Sequence, residues 1–78
     1  MSMAWETTVD DVQIVLEAHG IAADAQNFLD EQLDHDRVED AALNGVEMEE
    51  QTNYAYQSIE EQLKEAGLLD NAAESKYK

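Results

Sequence analysis

Val9, Val12, Val15 and Leu16 recur at three- and four-residue intervals and predict an amphipathic helix over about residues 9–19. Thr8 stands where an N-cap belongs, and Asp11 three residues later completes a capping box. Gly20 is placed to end the helix in a left-handed conformation, with Ile21 folding back on Leu16. A second stripe, Ala25, Phe28, Leu29 and Leu33, comes after Asp24 as N-cap and predicts a helix over about residues 24–34. The phase then breaks, because Val38 and Ala41 lie roughly opposite the Phe28–Leu33 face at about 100° per residue. A turn is expected at about 34–36, with Asp36 and Glu39 as a box-like cap for the next helix.

The third stripe is the most regular. Val38, Ala41, Gly45, Met48, Thr52, Ala55, Ile59, Leu63 and Ala66 keep a three-four spacing that resembles a heptad seam. One long helix over about residues 37–66, roughly 45 Å, carries it. Gly67 terminates it, with Leu68 set to contact Leu63. Asn44-Gly45 is where this helix could split, since Asn44 and Glu47 also fit an N-cap box; the shared phase on both sides favours continuity. The expected fold is all-α, two short helices packed on one long C-terminal helix, forming a single domain over residues 1–69 with a flexible tail at 70–78. Two short helices cannot cover so long a seam, which leaves part of the Met48–Leu63 face for a homodimer partner or a target. Trp5 is expected over the end of the bundle.

Charge changes the picture. Sixteen of the nineteen carboxylates and a single base, Arg37, fall in residues 1–63, so that stretch carries the whole formal charge of −15. Such a surface repels nucleic acid and anionic lipid and attracts basic partners. Disorder is not expected despite the charge, because the 44% of apolar residues are periodic. There is no cysteine, hence no disulfide or thiolate metal site. No apolar run is long enough to span a bilayer, and Met1-Ser2-Met3-Ala4-Trp5-Glu6 does not read as a signal peptide. A cytoplasmic protein is expected, resident in the host cytoplasm if phage-encoded.

On the long helix Asp36, Glu39, Asp40, Glu47, Glu50, Glu61 and Glu65 project within roughly 60° of one direction. They run at roughly one carboxylate per 6 Å of axis, against one charge per 3.4 Å on a DNA strand. Asp30, Glu31, Asp34, Glu49 and Glu60 on the flanks bring the total near that of a single strand. An ordinary solvated helix face mixes signs in Glu–Lys pairs, and this one has almost none. Leu43 and Tyr54 interrupt the acidic face as candidate anchors, and Tyr54 could stack on an arginine of a basic partner. Val46 interrupts it too, while Tyr56 lies nearer the seam. The candidate partner-binding set is therefore Asp36, Glu39, Asp40, Leu43, Glu47, Glu50, Tyr54, Glu61 and Glu65.

In charge, size and helical stripe, residues 1–66 resemble the small acidic DNA-mimic inhibitors, such as phage anti-restriction and anti-CRISPR proteins and uracil-DNA glycosylase inhibitor. No diagnostic motif accompanies the resemblance. It implies a non-enzymatic inhibitor that occupies the groove of a basic nucleic-acid-binding protein, of nuclease or CRISPR effector type. The alternatives are a helical adaptor or assembly protein working through its seam, and an antitoxin-like neutraliser of a basic toxin. Adaptation to high salt is a separate source of the same composition.

Other chemistry is thinly represented. A calcium loop starting at Asp34 fails, with Val38, Glu39 and Gly45 at positions that need a ligand, a glycine and a glutamate. Glu31, His35 and Glu39 share a helical spacing but straddle the expected turn. His19 suits a helix C-terminus. No metal, cofactor or enzymatic activity is expected.

Overall fold

The computed structural model describes residues 5–77, so Met1 to Ala4 and Lys78, expected in the domain and its tail, lie outside the described residues. All regular structure among these residues is helical: α1 (Val9–Ala18), α2 (Ala25–Glu31), α3 (His35–Ala42) and α4 (Met48–Glu65). The longest helix, α4, packs against α1 on one side and α3 on the other, and α2 packs on α1.

The first two helices begin where short-range side-chain chemistry places them. Thr8 caps α1, its amide donating to Asp11 Oδ2 at 2.9 Å while the Asp11 amide donates to Thr8 Oγ1 at 3.4 Å. Asp24 caps α2 by accepting from the Asn27 amide at 3.1 Å. Gly20 and Gly67, at φ 66° and 80°, end α1 and α4. The Ile21 amide reaches back to Leu16 O and the Leu68 amide to Leu63 O, both at 2.9 Å, which completes a Schellman motif at each end. Trp5 rests partly buried on the core, and its indole N–H donates to Thr7 Oγ1.

The long helix expected over 37–66 is two helices. α3 ends at Ala42, and α4 starts at Met48, capped by Glu47 with Glu50 in the box position. The cause is at the turn. A Cβ built on Gly45 would stand 2.5 Å from Gln51 N and 2.8 Å from Glu50 C, so only glycine lets the turn fold back this tightly on α4. Glu50 Oε1 accepts the amides of Val46 and Glu47 at 3.2 Å each, and Gln51 Nε2 donates to Gly45 O at 3.3 Å. The cap of α3 is Asp34, which accepts from the amides of Asp36 and Arg37, rather than Asp36.

The split redistributes the third stripe. Val38, Ala42, Ala55, Ile59 and Leu63 are fully buried where α3 lies back along α4, joined by Val12, Val15, Leu16 and Phe28 from α1 and α2. Met48 leaves the seam and is 68% exposed, and Ala66 is exposed too. The apolar face that a single long helix would have left open is thus covered within the chain. Gln62 fastens the α2–α3 turn to α4: its Oε1 accepts the Asp34 amide at 2.6 Å and its Nε2 donates to Asp34 O at 3.2 Å.

In place of the expected flexible tail, the segment after α4 folds back on the bundle. Leu69 and Tyr77 pack on the core, and the Tyr77 ring meets Tyr56 edge-on with centroids 5.0 Å apart. Lys64 Nζ donates to Ala73 O at 2.8 Å, and Gln57 Nε2 donates to Tyr77 O. The polar residues of the tail are held because α4 supplies partners for them, Glu60 above all.

Tyr56 ties α4 to α1, its hydroxyl donating to Asp11 Oδ1 at 2.7 Å. Burial, then the bond to Asp11, pushes the Tyr56 phenol well above its ordinary value of 10.0, and burial does the same to Tyr77. A raised phenol pKa favours the protonated native state, so this stability is intact below pH 10 and is lost as pH climbs above it, where Tyr56 and Tyr77 ionise more readily in the unfolded chain than in the folded one. Thermal melts should show a midpoint that falls as pH rises beyond 10. Tyr56→Phe should cost about 1–2 kcal/mol at neutral pH and flatten the alkaline fall. An alkaline limb of unchanged slope in that variant would remove Tyr56 as its cause.

Candidate functional site

The nine candidate residues are divided by the split between two helices and the turn that joins them. Asp36, Glu39 and Asp40 lie on α3, Leu43 is its C-cap, Glu47 caps α4, and Glu50, Tyr54, Glu61 and Glu65 are spaced along α4. All are exposed except Glu39, which is half-buried. On α4 the spacing of Glu50, Tyr54, Glu61 and Glu65 keeps them in one stripe, but uncharged Tyr54 and Gln57 interrupt its charge. Folding α3 back fills that interval. Asp40 and Glu61 line one groove with Arg37, Asn44, Tyr54 and Gln57, with a volume of about 340 Å³. The single line of carboxylates expected along one helix is thus divided into a row on α3 and a row on α4, and Asp40 and Glu61 are the members that meet at the groove.

Arg37 interacts with this surface from within it. Its two terminal nitrogens donate to the two carboxylate oxygens of Glu65 at 2.8 Å each, and Glu61 lies 4.0 Å away. These bonds hold the Glu65 carboxyl below the ordinary glutamate range and raise the guanidinium pKa. The pair is exposed, so its contribution to stability is small. Its effect on the surface is larger, because the one base among residues 1–63 is already matched to a carboxylate. Glu50, counted in the same set, also has a structural task in holding the turn.

Glu60, expected on the acidic flank, is 3% exposed. His19 Nε2 lies 2.6 Å from its Oε2, the Ser75 hydroxyl donates to Oε1 at 2.5 Å, and the Lys76 amide donates to Oε2 at 2.9 Å. The His19 side chain therefore serves Glu60 and not the end of α1. The carboxylate gathers the imidazole, the hydroxyl and the amide at one point, and the group is a buried clasp for the C-terminal segment. Sequence carried one signal for it: Tyr56, Ile59, Glu60 and Leu63 share one helical face, which puts a carboxylate on the buried side.

His35 bonds to Leu29 O at 2.9 Å across the α2–α3 turn. Among the described residues no group of three histidines and carboxylates is arranged to hold a metal, and no helix is long and apolar enough to cross a membrane. Every buried side-chain polar atom among them has a partner.

Three apolar side chains stand out of this surface. Leu43, Val46 and Met48 are 49%, 88% and 68% exposed around the α3–α4 turn, with Glu47, Glu49 and Glu50 between and beside them. Leu43 and Val46 were legible as interruptions of an acidic face; Met48 was not, because a continuous helix would bury it. No family model matches the sequence, no curated protein matches it, and no solved structure matches its fold.

Proposed function

We propose that this chain is a non-enzymatic acidic binding protein that occupies the nucleic-acid-binding surface of a basic protein and excludes the nucleic acid by imitating its charge. The observation that carries the reading is the groove between α3 and α4 that holds a carboxylate from each helix, Asp40 and Glu61, with the one base lining it, Arg37, already paired to Glu65. A groove holding Asp40, Glu61 and the half-exposed ring of Tyr54 suits a lysine or arginine side chain, which finds two carboxylates and an aromatic face there. The small acidic DNA-mimic inhibitors act in this manner. The seam-based adaptor reading has less to work with, since Ala55, Ile59 and Leu63 are covered by neighbouring helices.

Competition measures the proposal. The immobilised protein is loaded with bacterial lysate at low salt and eluted by rising salt or by added duplex DNA. Nucleic-acid-binding proteins should be retained, released between low and moderate salt, and displaced by the DNA. For a partner recovered this way, Asp40→Lys with Glu61→Lys should slow association at least about tenfold while leaving the helical signal intact. Retention indifferent to both salt and DNA rules mimicry out.

A further inference from the structure

We infer that the α3–α4 turn is the anchoring point of this surface: Leu43, Val46 and Met48 insert into an apolar socket on a basic partner while the surrounding carboxylates meet its lysines and arginines. The inference rests on the charge-imitation reading and adds to it the part of the surface that confers hold.

The fold does not account for these side chains. Val46 is 88% exposed in a turn where a polar residue would satisfy the backbone equally well. Met48 opens α4 with its side chain 68% in solvent, and Leu43 closes α3 half in solvent. They also stand on a rigid base. The amides of Val46 and Glu47 are both held by Glu50 Oε1, the Gly45 carbonyl accepts from Gln51, and Gly45 is packed so closely on α4 that a Cβ has no room. Apolar groups presented on a fixed turn lose little conformational freedom on burial, which is what a binding anchor needs. The three stand around one turn at one end of the acidic surface, with Glu47, Glu49 and Glu50 between and beside them, so apolar and charged contacts would be made side by side.

Charge selects the occupant. A second copy of this chain would bring Glu47, Glu49 and Glu50 against their own duplicates, while Arg37 and Lys64 are engaged at Glu65 and Ala73, toward the other end of α4. An anionic lipid surface meets the same repulsion. A protein surface rich in lysine and arginine, with an apolar depression among them, complements both features. Carboxylates act over several ångströms and set the rate of encounter; the apolar anchor acts only on contact and sets the rate of release.

Two synthetic helical peptides of equal length and equal positive charge test this, one of lysine and leucine with an apolar face and one of lysine and serine without it. Binding is measured by titration and by amide chemical shifts of the labelled full chain. The Lys/Leu peptide should bind at least about tenfold tighter and shift the amides around Leu43–Glu50 most strongly. The Lys/Ser peptide should bind weakly with shifts spread along both acidic rows. Val46→Ser with Met48→Ser, two exposed positions whose loss the fold tolerates, should erase most of the preference and leave Lys/Ser binding unchanged. Adding Leu43→Ser should erase the remainder.

Equal affinities, strongest shifts away from the turn, or an undiminished preference in the serine variants overturns the anchor and leaves the electrostatic reading standing. Failure of both peptides to bind overturns the two together. Concentration-dependent sedimentation of the wild-type chain, abolished by Val46→Ser with Met48→Ser, overturns it in favour of a second copy as the occupant.

Discussion

Ile59→Asp is expected to abolish the fold, with the helical circular dichroism signal lost at room temperature and no cooperative melt. Ile59 is fully buried on α4 where the helix meets its neighbours. Truncating such a residue to a small one costs about 2–5 kcal/mol, and an unpaired carboxylate in its place adds several more. A domain of this length has about 4–12 kcal/mol to lose. The companion substitution Met48→Asp should leave helicity and melting intact to within about 0.5 kcal/mol, because the side chain is already in solvent and an acidic residue suits the first turn of α4. A single helix through residues 37–66 predicts the opposite for Met48, which would then sit in the seam. Unfolding of Met48→Asp, or survival of Ile59→Asp, contradicts this packing.

Gly45→Ala is expected to destabilise the protein by about 3 kcal/mol, since the new methyl group meets backbone atoms and the start of α4 has to move. For a chain of this size that is a fall of about 12–24 °C in the melting midpoint. The sign is the informative part. In the interior of a continuous helix alanine is better than glycine by about 1 kcal/mol, so the same substitution would raise the midpoint. Differential scanning calorimetry of one variant therefore decides between one helix and two.

The parts of the fold legible in sequence are those governed by near neighbours. Thr8 with Asp11, Asp24, Gly20 and Gly67 each act within a few residues, and each does what its local chemistry dictates. The all-helical architecture with a long C-terminal helix against shorter ones comes from the stripes. The break at Asn44-Gly45 is visible in sequence but outweighed there by phase. Phase is a poor judge, because two helices folded back on each other bury their stripes as well as one helix laid against a neighbour. The decisive fact, Gly45 pressed on Gln51, involves atoms that only the folded turn brings together. The C-terminal segment eludes sequence for a related reason. Its composition is that of a frayed end, and what holds it is a carboxylate on α4 fifteen residues away from Ser75. Of the candidate surface, the charges are legible individually. Their arrangement in two rows and the exposure of Met48 depend on the turn.

The contact between Gln62 and Asp34 bears on which alignment the helices adopt. An apolar seam with a residue every three or four positions is nearly self-similar under a slide of one turn, about 5.4 Å, and the small side chains of Ala42 and Ala55 offer little to catch on. Burial alone would leave competing registers of α3 against α4 close in energy. The Gln62 amide is specific where the seam is not. It presents one acceptor and one donor to the N–H and C=O of a single residue, Asp34, and is itself 4% exposed. Slipped by a turn, that amide would be buried against carbon with both bonds unmade. A polar pair in this position contributes modestly to the depth of the native minimum and strongly to its uniqueness, as a single buried asparagine does in a coiled coil. The charge rows and the exposed turn keep a fixed relation to each other because this side chain pins one end of the helix pair while the Gly45 turn pins the other.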